Sequence, residues 1–364
     1  MMAVMAEAKP RHIESHTALR GIAALTVVGY HLPSILPEGS LAAPLLAPFS
    51  RAYLAVDLFF VLSGFVLTYV YGRQGRGLDL GGTKDFLIAR IARVYPLHLA
   101  TMIGVLLLAA VVGMRPPGSG EIAAHLTMTH AWGFWDHVGL NYPSWSISAE
   151  FFAYLLFPLL LAVRTRAPLA FVCTAVALSL AFYGSLGVES GTLTIETGLA
   201  LVRCVAGFML GMALAGGTGR LAAWSDGALG ALQVLVVSLI AAGFAFGLGD
   251  VLFMPLFVAL VALTVEDRGV VASLLRAKPL LWLGLVSYSV YLLHVPVIRG
   301  TILVHAWVLA RLPEVDPAGI ASLVFVALVF VLTVAGAGVT YWLIEEPGRK
   351  LARRRPRPVV TAAP

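Results

Sequence analysis

Long apolar stretches alternate with short polar, mostly basic interruptions along the whole chain. Ten stretches of about 17–25 residues have the length and apolar character of a bilayer-spanning helix. They fall near 18–36, 52–71, 96–113, 146–163, 168–184, 198–216, 229–247, 251–266, 280–300 and 319–343, the ninth running on toward Ala310. The pattern predicts an all-α polytopic membrane protein with about ten transmembrane helices. The interruptions are too short for a soluble domain. The chain therefore reads as an N-terminal segment (1–17), a membrane domain (18–346) and a basic tail (347–364).

Composition agrees. Of 364 residues, 59% are hydrophobic and only 12% charged, where a soluble domain carries roughly 25%. Mean hydropathy is +0.90. Of the 25 lysines and arginines, nineteen fall on the side shared by the two termini. Arg51, Arg115 and Arg311 lie opposite, and Arg20, Arg203 and Arg299 lie within spans or at their edges. The positive-inside rule then places both termini in the cytoplasm. The formal charge of +6 is mostly this bias, with a basic tail able to touch anionic lipid; it gives no reason to expect nucleic acid. Cys173 and Cys204 sit in apolar spans without metal-type spacing and read as inert thiols. The first stretch contains Arg20 and His31 and lacks a convincing cleavage site, so it reads as a retained span rather than a signal peptide.

Chemistry enters through ionisable groups inside spans, which are expensive in hydrocarbon and usually face a bundle interior, a cavity or a partner. Arg20 and His31 are eleven residues apart, which returns a helix to within roughly 20° of its starting direction over about 16 Å of rise. Both side chains therefore share one face. With the expected topology, His31, Asp57, Glu150 and His294 reach similar depths toward the outer side on four different helices. Each alone has a local reading as a helix–helix hydrogen bond or a cap. Their shared depth points to a site.

On the opposite side, Arg90 and Arg93 are three apart just before Tyr95-Pro96, placed to grip one anion with guanidinium forks. Lipid headgroups and topology also explain basic loops there. At an outer boundary, Asn141-Tyr142-Pro143-Ser144-Trp145-Ser146-Ile147-Ser148-Ala149-Glu150 is the densest polar run, and Ser146, Glu150 and Tyr154 share a helix face. The preceding segment (His125, His130, Trp132, Trp135, Asp136, His137) is either an aromatic surface for a ring-shaped ligand or interface anchoring. No histidine and acid spacing suggests a metal.

Taken in order, five segments resemble the integral-membrane acyltransferase family 3, whose members O-acylate cell-envelope glycans and some small molecules. They are Leu19-Arg20-Gly21-Ile22-Ala23-Ala24 with Tyr30-His31; Val56-Asp57-Leu58-Phe59-Phe60-Val61-Leu62-Ser63-Gly64-Phe65; Arg90-Ile91-Ala92-Arg93-Val94-Tyr95-Pro96; Trp145-Ser146-Ile147-Ser148-Ala149-Glu150; and Leu283 through His294 and Pro296 with Glu345-Glu346-Pro347. The resemblance implies an acyl-CoA donor, acetyl-CoA foremost, with Arg20 and His31 essential and Arg20, Arg90 and Arg93 near the donor. Two departures bear on the acceptor. Thr17-Ala18 replace the family's Asp-Gly, and Phe151-Phe152 replace its Glu-Gln. A fused hydrolase-like domain, carried by some members, is not expected. The expected reaction moves an acyl group from cytoplasmic acyl-CoA to a hydroxyl of a glycan, lipid-linked sugar or small molecule. His31 would be general base and Asp57 or Glu150 its partner. Asn141, Trp145, Ser146, Tyr291 and His294 would bind the acceptor. The setting would be a bacterial plasma membrane, with no metal. A proton-coupled exporter using the same buried groups is the rival reading.

Overall fold

The computed structural model describes residues 11–72, 79–135, 139–186, 193–217 and 219–353. Arg73, Arg76, Asp136, His137, the first ten residues and the tail beyond Arg353 lie outside them. The described residues form helices and turns and no strand, as a chain in hydrocarbon requires: a helix satisfies its own backbone groups where water cannot. The principal helices are α1 (Glu14–Tyr30), α2 (Ala55–Tyr71), α3 (Leu80–Val111), α4 (Trp145–Arg166), α5 (Pro168–Ser179), α6 (Leu199–Leu214), α7 (Asp226–Phe246), α8 (Phe253–Leu263), α9 (Lys278–Leu285), α10 (Ser287–Leu309), α11 (Ile320–Thr340) and α12 (Glu346–Arg353).

Among the described residues, eight helical segments are long and apolar enough to cross a membrane. The 17-residue α1 and the shorter Asp250–Leu263 segment occupy the places of the first and eighth expected spans. Among the boundaries that differ from expectation, α1 ends at Tyr30, short of the expected 36, which makes His31 its C-terminal cap. α3 begins at Leu80, sixteen residues before the expected start, because Asp79 caps it by accepting from Gly82 N–H (2.5 Å); Pro96 lies inside the helix. The stretch expected from 280 is broken at Val286 (φ −91°, ψ 5°) into α9 and α10.

Small residues let the inner helices approach closely, the usual means of packing in lipid. A Cβ at Gly64 of α2 would collide with Phe208 O of α6, and one at Gly211 of α6 with Val61 O of α2. α1 and α9 meet similarly, since a Cβ at Gly284 would strike Thr17 O. At one end of the bundle, the start of α1 is tied to the chain before α9 by Ser15 Oγ donating to Asp267 (2.5 Å) and by Arg276 against Glu14 (2.8 Å). The same end holds Arg93 and Glu345. His31 and Trp145 lie toward the other end. Exposed Leu107, Val331 and Leu343 suit a surface facing hydrocarbon.

Candidate active site

His31 caps the C-terminal end of α1, where the chain turns toward Pro33. Its ring stacks on His294 of α10, with centroids 5.0 Å apart and planes at 27°, and receives the edge of Tyr142 at 5.5 Å. His294 Nδ1 lies 2.5 Å from Tyr291 O. A carbonyl only accepts, so Nδ1 carries the proton and Nε2 the lone pair. That Nε2 is buried and has no hydrogen-bond partner among the described residues. Two imidazoles thus lie side by side, one with its tautomer fixed and its basic nitrogen unused.

The expected acceptor residues divide around this pair. Tyr291 shares a hydrogen bond with Ser146 Oγ (2.8 Å), and Asn141 Nδ2 donates to Leu292 O (3.0 Å). Ser146 and Asn141 therefore hold α10 against the start of α4. Trp145 lies beneath the Arg203 guanidinium at 5.5 Å.

The carboxylates expected near His31 go elsewhere. Asp57 is clamped by Arg203, which donates from Nε (2.7 Å) and Nη2 (3.0 Å), and by Tyr183 (3.1 Å). Both charged side chains are 1% exposed. Arg203 also donates to Leu193 O (2.7 Å) and Tyr53 O (3.3 Å). Asp57 is thereby occupied by a buried cation rather than by His31. Glu150, one turn into α4, faces Arg20 and Tyr154. The four groups of similar expected depth thus separate into a histidine pair, an Asp57–Arg203 clamp and Glu150 within electrostatic reach of Arg20.

Toward the other end, Arg20, Arg90, Arg93 and Arg349 lie within electrostatic reach of one another. Arg93 pairs with Glu345, and its guanidinium lies over the Tyr288 ring at 5.3 Å. Arg349 is 3.9 Å from Glu345 and 3.8 Å from Glu346. Arg90 Nε is buried without a hydrogen-bond acceptor among the described residues. Arginines in excess over carboxylates, with a buried donor left over, form a place for a polyanion. Arg349 belongs to this cluster, although the sequence offers it only as one of many basic residues near a terminus.

Two further features surround the histidine chamber. His98, His125 and His130 are buried and stacked nearly parallel, the last two 3.9 Å apart. Burial and the neighbouring histidines push His130 down to about 2, and its Nε2 meets Ser144 Oγ at 3.0 Å. Through Ser144 the stack packs against the short turn that carries Tyr142. Among the described residues no group of three His, Cys, Asp or Glu is disposed to hold a metal ion. Glu196, which carries no periodicity or motif, hydrogen-bonds the Tyr142 hydroxyl and so lies next to His31's neighbour.

The helical membrane bundle thus carries an arginine cluster toward one end and a histidine pair toward the other, with Arg20 and His31 contributed by the same helix. The chain belongs to the acyltransferase-domain family, whose sequence profile matches residues 14–342; it is an acyltransferase. It is 28% identical over 387 residues to the Acyltransferase MdmB of Streptomyces mycarofaciens, covering 96% of this chain and 95% of that protein. It is 27% identical over 332 residues to YrhL of Bacillus subtilis (strain 168), provisionally named a peptidoglycan O-acetyltransferase, covering 79% of this chain and 49% of that protein. The Peptidoglycan O-acetyltransferase OatA of Listeria monocytogenes serovar 1/2a is 25% identical over 165 residues, 42% of this chain and 25% of that protein. This chain spans about half the length of YrhL and nearly all of MdmB. No solved structure matches it.

Proposed function

We propose that this membrane acyltransferase moves an acyl group, acetyl foremost, from acyl-CoA to a hydroxyl of a glycan, lipid-linked sugar or small molecule. The observation that carries the reading is the disposition of α1: Arg20 faces the arginine cluster near one end and His31 meets His294 at the other. The rise between them is about 16 Å. A pantetheine arm of about twelve bonds equals four extended residues, roughly 14 Å. Donor phosphates held by Arg20, Arg90, Arg93 and Arg349 would place the thioester beside His31.

A thioester is already activated, and the hydroxyl is the poor partner. His31 takes the hydroxyl proton as the oxygen attacks the thioester carbon. The C–O bond forms, the C–S bond breaks, and the proton returns to the departing thiolate. General-base assistance of this kind contributes about 10²–10⁴-fold. Tyr291 and His294 border the acceptor, while Asn141, Ser146 and Trp145 hold the wall behind them. Asp57 fixes Arg203, and Glu150 balances Arg20. Both termini face the cytoplasm of a bacterial cell, so the donor enters from the side of the basic loops and the acceptor from the opposite one. An exporter using the same buried groups would neither bind nor consume acyl-CoA.

The experiment is acetyl transfer by the purified protein in nanodiscs given labelled acetyl-CoA and a hydroxyl acceptor. Consumption of acetyl-CoA that requires both His31 and the arginine cluster supports the reading. Consumption unchanged after Arg90→Ala with Arg93→Ala would remove the cluster from it.

A further inference from the structure

The mechanism leaves one carboxyl in the chamber without a task. Glu196 lies in the short segment before α6, which is pinned at three points. Leu193 N–H donates to Asp250 (2.7 Å), Leu193 O accepts from Arg203 (2.7 Å), and Gly198 N–H donates to Ala131 O (3.1 Å). At Gly198 φ is +57°, a left-handed backbone that favours glycine. The Glu196 carboxyl is thus held in place rather than carried on a slack loop. One of its oxygens accepts from the Tyr142 hydroxyl, and the Tyr142 ring stands edge-on to His31. Tyr30 and Tyr291 lie within its electrostatic reach, which puts it close to the histidine pair. The nearby guanidinium, Arg203, is ion-paired with Asp57.

His294 Nε2 is a buried acceptor atom with no hydrogen-bond partner among the described residues, on the ring that stacks against His31. A buried acceptor without a donor is costly, and a ligand that brings a donor to His294 Nε2 relieves it, while half-buried Glu196 offers a second carboxylate oxygen close by. We infer that Glu196 is an acceptor-binding residue, its free oxygen and His294 Nε2 taking hydrogen bonds from hydroxyls that flank the one His31 deprotonates. The preferred acceptor is therefore a molecule with neighbouring hydroxyl groups, and an isolated alcohol is a poor one. This rests on the reading of His31 as the base that activates the hydroxyl.

The test compares methyl glucoside, which carries neighbouring hydroxyls, with cyclohexanol, which carries one. The full chain in nanodiscs is used in two arms: calorimetric binding of each alcohol without any donor, and turnover with acetyl-CoA. Glu196→Ala should weaken glucoside binding and raise its KM by about tenfold or more, the scale of one hydrogen bond to a charged group. Its kcat and the behaviour of cyclohexanol should change much less. Glu196→Gln keeps an oxygen acceptor and the Tyr142 contact, so it should recover part of the loss. Wild-type protein that binds both alcohols equally, or a Glu196→Ala variant with unchanged glucoside affinity, overturns the inference. So does an equal loss for both alcohols, which would make Glu196 a support for its segment. The calorimetric arm contains no donor, so a failure of the acyl-CoA reading appears only in the turnover arm.

Discussion

The Asp57–Arg203 clamp makes a sharp prediction, because the sequence offers Asp57 as a partner for His31 and the structure gives it to a buried cation. In Asp57→Ala the guanidinium loses two charge-assisted hydrogen bonds of 2.7 and 3.0 Å. It keeps only two backbone carbonyls and the face of Trp145. Removing one member of a buried pair costs about 3–5 kcal/mol, whereas replacing both by apolar groups of similar volume is often neutral. The single variant should therefore lose roughly two to three and a half decades in its folded-to-unfolded ratio. Asp57→Leu combined with Arg203→Met should regain most of that. Denaturant unfolding in detergent micelles reads both. Acetyl transfer should recover less than stability in the double variant, because Leu193 O, which holds the Glu196 segment, has lost its donor. An Asp57→Ala protein as stable as the wild type but inactive would refute the reasoning and return Asp57 to the chemistry.

Gly64→Ala should prevent assembly of α2 against α6, since the added Cβ meets the Phe208 carbonyl, while Gly104→Ala, with open space around it, should be neutral; yield of monodisperse protein after extraction separates them. Arg90→Ala, Arg93→Ala or Arg349→Ala should each weaken acetyl-CoA binding about tenfold or more, and lysine in their place by less; unchanged affinity in all three would reduce the cluster to a topology signal. Burial raises the Glu196 carboxyl to about 7 against the opposing field of Arg203, with Tyr142, Tyr30 and Tyr291 facing it. Glucoside affinity should therefore rise as pH passes from 6 to 8, and Glu196→Gln should flatten that profile. The same shift works against stability: between 4.5 and about 7 the folded state holds the proton that the unfolded state has lost, so this group's contribution falls as pH rises through that window.

Much of this arrangement was legible in the chain because hydrocarbon leaves few choices. Apolar runs gave the helices, and the eleven-residue spacing of Arg20 and His31 gave a shared face. What escaped depends on tertiary meetings. Asp57 and Arg203 are 146 residues apart, and nothing local tells an aspartate that will meet a cation from one that will meet a histidine. Helix rise gave Glu150 the expected depth of His31, but depth does not fix azimuth, and Glu150 lies within electrostatic reach of Arg20 and Tyr154. The start of α3 was hidden because Lys84, Asp85, Arg90 and Arg93 interrupt the apolar residues of its first turns; the Asp79 cap was the available clue. Glu196 sits in an irregular segment where periodicity has no meaning. His294 was found as an ionisable group in a span, while its free Nε2 needed the Tyr291 carbonyl to be seen.

The account turns on His31 acting on a donor that the arginine cluster holds. The direct measurement is paired: acetyl-CoA binding and acetyl transfer by wild type and His31→Ala in nanodiscs, each checked for insertion and monodispersity. The variant should bind acetyl-CoA with near wild-type affinity and transfer acetyl about 10²–10⁴-fold more slowly, with His31→Gln no better because glutamine accepts a hydrogen bond but not the proton. Wild-type transfer rates in a properly inserted His31→Ala protein would contradict the account.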